Sequence, residues 1–328
     1  MSLPHPARTA ETARTHQLTP AAREIVDALT AAFPELTPET DVEAVRRATS
    51  QPPREGREPV SVVDRTVPGA ASGTEIPVRL YRSPAPGPHH SPTPAPVLLF
   101  FHGGGFVLCG LDSHDGLCRE LAVRTGALVV SVGYRLAPEH PAPAAAEDAY
   151  AALRWAAERA REEGGDPARI AVAGDSAGGN LATAACLLAG ERGRPMPVAQ
   201  FLAYPALDPR LGSASMREFG DPGDHFLTTA HMRWYWSHYL SGAPPVPHTA
   251  PALAPAEALA GLPPAYVLLP DCDPLRDEGR AYAARLPQAE VRAAPGMFHG
   301  FLGFGALLPE AETALAGAAE WLRNRLSV

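Results

Sequence analysis

The sequence predicts an open, doubly wound α/β fold with a mostly parallel central sheet flanked by helices. Three observations carry that expectation. Short, continuously apolar, β-rich runs recur from residue 96 onward, helical segments separate them, and prolines and glycines mark the turns between. Runs of this kind suit strands buried on both faces, as parallel strands are. The 328 residues fit one large α/β unit or two small ones. With 45% hydrophobic and 20% charged residues, disorder over most of the length is excluded.

Taken in order, residues 1–20 read as a poorly ordered tail. Residues 20–49 carry helical periodicity, with Ile25, Val26, Leu29 and Phe33 on one face. Residues 60–67 and 76–82 alternate like strands, and the proline-rich 83–96 stretch reads as an exposed connection. The apolar runs at 96–101, 127–132, 169–174, 199–204 and 265–270 are the expected central strands, with a further one at 290–294. Helices are expected at 113–124, 144–163, 177–190, 276–286 and 310–326. The segment 205–262 breaks the alternation and contains the aromatic run at 232–240, so it is expected to form a cap over the strand ends with the N-terminal helices. The resulting division is a tail (1–20), N-terminal cap helices (21–55) and a catalytic domain (56–328) with a cap insertion at about 205–245.

Composition narrows the partners. The net charge of −8 argues against nucleic acid, which needs a concentrated basic surface. All 28 basic residues are arginine. No apolar run approaches the ~18 residues that cross a bilayer, and the first residues lack an apolar signal core. A cytoplasmic protein without stable membrane association is expected. Cys109, Cys118, Cys186 and Cys272 have no CxxC spacing, so neither a metal site nor a disulfide framework is expected. Cys109 and Cys272 lie near the chemistry described next and are expected to be sensitive to thiol reagents.

That chemistry starts at Gly174-Asp175-Ser176-Ala177-Gly178, a G-x-S-x-G sequence between an apolar strand and a helix. Strand, sharp turn and helix make a nucleophile elbow, in which glycines permit a strained turn that exposes the serine hydroxyl. A phosphate cradle is disfavoured because the chain has no lysine to complete one. Serine needs an adjacent base, and after such an elbow the acid and then the histidine follow in the chain. His299 is the only histidine beyond residue 273. Asp271 and Asp273 both follow the 265–270 strand, and Pro274 favours Asp273 as the last extended residue before a turn. His102-Gly103-Gly104-Gly105-Phe106 follows the 96–101 strand. Its glycines let Gly104 and Gly105 aim backbone N–H groups at an oxyanion, joined by the N–H of Ala177. His102 is expected to brace this loop, and Asp175 to brace the elbow. Phe106, Asp175, Tyr204, Trp234 and Phe301 are the candidate substrate-binding residues.

These motifs, with the GYRLAPEHP segment at 133–141, resemble the hormone-sensitive-lipase-like branch of the α/β-hydrolases, the bacterial family IV esterases. The resemblance spans residues 60–326. It implies an α/β-hydrolase fold with a helical cap, and Ser176, Asp273 and His299 as a triad. The implied function is carboxylic ester hydrolysis through an acyl-enzyme, on short- to medium-chain or small-molecule esters, without metal or organic cofactor, and it allows a homodimer. The same pocket also serves amidases, N-deacetylases and lyases. Receptor-like relatives have lost the histidine that His299 provides here.

Overall fold

Side chains alternate between the two faces of a strand, so a strand apolar at every position needs cover on both sides. The structure, a computed structural model, supplies that cover. It describes residues 17–50, 60–84, 94–193, 196–221 and 224–327. Most of the expected tail and most of the proline-rich connection lie outside these residues.

The helices α1 (Pro20–Ala32) and α2 (Val42–Thr49) come first. Thr19 and Asp41 cap them, each side chain accepting a backbone N–H of the first turn. Then follow β1 (Ser61–Pro68), β2 (Glu75–Arg82), β3 (Ala95–Phe101), α3 (Asp115–Thr125), β4 (Leu128–Val132), α4 (Ala144–Arg159), β5 (Gly165–Asp175), α5 (Ala177–Glu191) and β6 (Ala199–Ala203). The insertion holds α6 (Ala214–Phe219), α7 (Thr229–Leu240) and α8 (Ala256–Ala260). The chain closes with β7 (Ala265–Cys272), α9 (Arg276–Ala283), β8 (Ala289–Phe298) and α10 (Pro309–Leu326).

The sheet order is β1-β2-β4-β3-β5-β6-β7-β8. β2 is antiparallel to both its neighbours, and all pairings from β4 to β8 are parallel. Along β3, Val97, Leu99 and Phe101 enter one apolar cluster while Leu98 and Phe100 enter the other. The first cluster takes residues of α4, α5 and α9, and the second takes residues of α1, α3 and α10. This is the two-sided burial that the apolar runs anticipate.

The order reverses at β3, with β4 on one side and β5 on the other. Loops leaving the carboxyl ends of β3 and β5 therefore diverge and leave a crevice, the usual ligand position in such sheets. Met232, Trp234, Tyr235, Trp236 and Tyr239 of α7 share a buried cluster with Phe106, Val107 and Leu108, which follow β3. α1 reaches the insertion too: Phe33 packs edge-on against Phe226 at 5.5 Å, and Arg23 donates to the Asp224 carbonyl.

Three strands run longer than their apolar cores. β5 begins at Gly165 because Gly165 and Asp166 pair with Ala95 and Pro96 ahead of an irregularity. β7 continues through Asp271 to Cys272, and β8 through Pro295 and Gly296 to Phe298. Backbone pairing, which apolarity does not report, sets these ends.

Candidate active site

Ser176 sits between the last residue of β5 and the first of α5 with φ 53° and ψ −119°, a conformation L-residues rarely adopt. Its N–H donates to the Ala203 carbonyl (2.9 Å), and its carbonyl accepts from Ala206 (3.0 Å) and Asn180 (3.2 Å). Glycines make the turn possible. A Cβ on Gly178 would strike the Phe101 carbonyl, and one on Gly174 would strike the carbonyl of Gly178.

β8 ends at Phe298, so His299 leaves the sheet edge directly, and Gly300 turns the chain with φ 86°. His299 Nε2 lies 2.9 Å from Ser176 Oγ, and Nδ1 lies 2.9 Å from Asp273 Oδ2. With a carboxylate at Nδ1, the ring holds its proton there and presents Nε2 as the acceptor. Asp273 is fully buried, and its other oxygen accepts the Leu275 N–H at 2.8 Å. Asp271 stays within β7, where its backbone carbonyl accepts from Arg276 (3.0 Å). The structure thus brings Asp273 to the imidazole.

The glycine loop expected to hold the oxyanion follows β3. Gly104, Gly105 and Phe106 have φ of 105°, 61° and 66°. Among the described residues no acceptor engages the N–H of Gly104 or Gly105. Gly103 is different: its N–H donates to Asp175 Oδ1 at 2.9 Å, and His114 Nε2 lies 3.1 Å from the same oxygen. Burial would raise the Asp175 carboxyl, but His114, His102 and His299 hold it below the usual carboxylate range. His102 Nδ1 donates to the Gly103 carbonyl (2.7 Å), its ring stacks on Tyr134 (4.2 Å), and Tyr134 Oη donates to the His102 carbonyl (2.8 Å). Burial and the neighbouring His114 push the His102 imidazole down to about 4, so it stays neutral.

The other expected substrate contacts are buried. Phe106, Tyr204 and Phe301 are each 1% exposed or less. Phe106 stacks on Tyr239 at 3.8 Å, while Tyr204 stands edge-on to His299 at 4.9 Å and faces Phe301. Trp234 packs against Tyr235 and His238. Its neighbour Tyr235 meets the site: a Cβ on Gly105 would fall on the Tyr235 ring. Sequence reasoning missed Tyr235, although Met232, Tyr235 and Tyr239 recur at helical spacing and mark one face of α7. Cys272 is buried, which pushes its thiol up to about 11 and disfavours the thiolate that reagents attack, whereas Cys109 is exposed.

Two further supports come from α6 of the insertion and from α9. Ser215 of α6 is fully buried: its Oγ donates to the Pro274 carbonyl (2.8 Å) and accepts the Asp277 N–H (3.0 Å), and its own N–H donates to Asp277 Oδ2 (2.9 Å). Glu278 of α9 accepts the N–H of Leu207 (2.7 Å) and Asp208 (3.3 Å) just past β6. Among the described residues no group of three His, Cys, Asp or Glu side chains is placed to hold a metal, and no helix is long and apolar enough to cross a membrane.

Comparison with known proteins agrees with this fold. A family model described as an α/β hydrolase fold matches residues 98–303. Esterase LipI of Mycobacterium tuberculosis is 44% identical over 282 residues, covering 83% of this chain and 85% of that one. An ethyl acetate hydrolase of Pseudomonas putida is 38% identical over 261 residues, covering 77% and 80%. Among solved structures, a thermostable esterase from Pseudomonas putida matches with a TM-score of 0.84 at 33% identity, covering 95% of this chain and 98% of that one.

Proposed function

The chain belongs to the hormone-sensitive-lipase-like esterases of the α/β-hydrolase superfamily, and from that premise we propose that it cleaves short- to medium-chain or small-molecule carboxylic esters through an acyl-enzyme on Ser176. It is a serine hydrolase of the carboxylesterase type. The observation that carries the mechanism is the His299 imidazole, 2.9 Å from Ser176 Oγ on one side and 2.9 Å from Asp273 on the other.

In this reading His299 takes the Ser176 proton as Oγ attacks the ester carbonyl, and Asp273 stabilises the imidazolium. The N–H groups of Gly104, Gly105 and Ala177 receive the oxyanion, and losing one such donor costs ~10²–10³ in rate. His299 then gives its proton to the departing alcohol. A water molecule, deprotonated by the same imidazole, attacks the acyl-enzyme and releases the acid, restoring Ser176. Asp175 and the neutral His102 shape the oxyanion loop without exchanging protons. The helices α1, α2, α6 and α7 form the cap, a role supported by the packing of Phe33 on Phe226 and of Tyr235 on Gly105. The relative named for ethyl acetate supports a short acyl group.

The test is hydrolysis of p-nitrophenyl esters from acetate to palmitate, with an acetanilide for comparison. Turnover should be greatest for the shorter chains and should vanish in folded Ser176→Ala. A fluorophosphonate should label the wild type and spare that variant. Ester turnover that survives Ser176→Ala would overturn the mechanism, and a preference for palmitate would overturn the substrate class.

A further inference from the structure

Arg46 lies on α2, more than 50 positions before the oxyanion loop in the chain, yet it is built into that loop. A guanidinium has five N–H donors in a fixed plane, and here each has an acceptor. Nε donates to the Val107 carbonyl (2.9 Å); one terminal nitrogen donates to Glu139 Oε1 (2.8 Å) and Glu43 Oε1 (2.6 Å). The other donates to Glu139 Oε2 (2.9 Å) and to the Ala137 carbonyl (2.8 Å). The bonds to Val107 and Ala137 join two segments that already touch, since the Ala137 N–H donates to the Phe106 carbonyl (2.9 Å). Within the loop, the Gly104 carbonyl accepts from Val107 (3.1 Å) and Leu108 (2.8 Å). Holding Val107 therefore holds the turn that orients Gly104 and Gly105. Tyr235 closes the same turn from the side of α7.

We propose that Arg46 is a positioning residue that fixes the oxyanion loop in its working shape from the N-terminal cap helix. The proposal rests on the esterase mechanism above, in which Gly104 and Gly105 receive the oxyanion. That charge exists only in the transition state, so a loosened loop lowers kcat and leaves KM nearly unchanged. Lysine cannot replace the guanidinium, because one nitrogen cannot reach two carbonyls and a carboxylate in that plane.

The experiment compares Arg46→Lys, Arg46→Met and Glu139→Gln with the wild-type chain on p-nitrophenyl acetate and follows amide hydrogen exchange in each. Arg46→Met should lose about 30-fold in kcat and Arg46→Lys about tenfold, each with KM within about twofold, because a partly misaligned donor costs less than a deleted one. Glu139→Gln keeps both carbonyl acceptors and should lose about threefold or less. The pH profile of kcat should keep its shape in all three, since His299 and Asp273 are untouched. Exchange should quicken at residues 104–108 and stay unchanged at 174–180. Unaltered kcat in folded Arg46→Met, or a rise in KM alone, would overturn the proposal. Should Arg46→Met fail to fold, an unaltered kcat in Arg46→Lys would overturn it equally. Unchanged exchange at 104–108 overturns it without reference to any substrate. A wild type that turns over no ester, yet whose variants exchange faster at 104–108, would instead count against the esterase mechanism.

Discussion

The loop after β7, proposed to supply the acid, and the loop after β3, proposed to receive the oxyanion, both serve Ser176 in the proposed mechanism, yet they are built differently. The acid loop presents one buried side chain, Asp273, secured by a backbone N–H two residues away and covered by Ser215 of α6. The oxyanion loop presents backbone N–H groups, and its glycines have no side chains with which to anchor themselves. Its anchors come from afar: Asp175 from the elbow, Tyr134 from beyond β4, Arg46 from α2 and Tyr235 from α7. Where a side chain does the chemistry, that residue is indispensable. Where the backbone does it, the burden passes to the neighbours that shape it.

The sharpest test of the contrast is Asp273→Asn, which should lower kcat by ~10⁴ through the wrong imidazole tautomer. Asp271→Asn should stay within about threefold, its side chain having no place at the imidazole. The reverse order would move the acid to Asp271 and dissolve the comparison. Next comes Tyr235→Ala, which uncovers Gly105 and should cost about tenfold in kcat, as small misplacements near reacting atoms do. Tyr235→Phe should match the wild type, because the ring and not the hydroxyl meets Gly105. Equal losses in both variants would assign the role to the hydroxyl instead.

Ser215→Ala tests the acid side by another route. It strands a buried carbonyl and a buried N–H, so chemical denaturation should show a loss of about 1–3 kcal/mol. Activity at a permissive temperature should change little, because Asp273 keeps its own contacts. A large fall in kcat with undiminished stability would mean that α6 aligns the acid.

The smallest effect concerns Glu278, whose carboxyl is pushed up to about 8 by burial, against an ordinary value of 4.5. Between those pH values the folded chain keeps a proton that the unfolded chain has lost, so stability falls as pH rises through that window. Glu278→Gln removes this slope. Its melting temperature relative to wild type should climb by a few degrees from pH 5 to pH 8.5. Parallel curves for the two proteins would contradict the assignment.

Legibility in the sequence follows the same division. The central strands of the parallel sheet showed themselves as apolar runs because both faces are buried, and Ser176 and the glycines expected to hold the oxyanion stood out because each directly follows such a run. His299 instead follows the mostly exposed edge strand β8 and stood out only as the one histidine beyond residue 273. Asp273 was only half legible. The apolar run stops at Pro270 while β7 pairs on to Cys272, so composition could not show which aspartate first clears the sheet. Arg46 was invisible. It reads as one arginine among 28 on a short amphipathic helix, and the two acceptors that tie it to the loop segments at Val107 and Ala137 are backbone carbonyls, which carry no residue identity. Phe106, Tyr204 and Phe301 lie near the motifs in sequence and belong to the apolar clusters, a burial that sequence proximity does not reveal.

The backbone at Ser176 carries one more consequence. A positive φ there costs a residue with a Cβ about 1–3 kcal/mol and costs glycine almost nothing. The chain therefore gives up some resistance to unfolding in order to hold a hydroxyl at that corner. Exchange of Ser176 for glycine should relax the corner and, in the proposed mechanism, remove the nucleophile, leaving an inert form suited to capturing intact substrate.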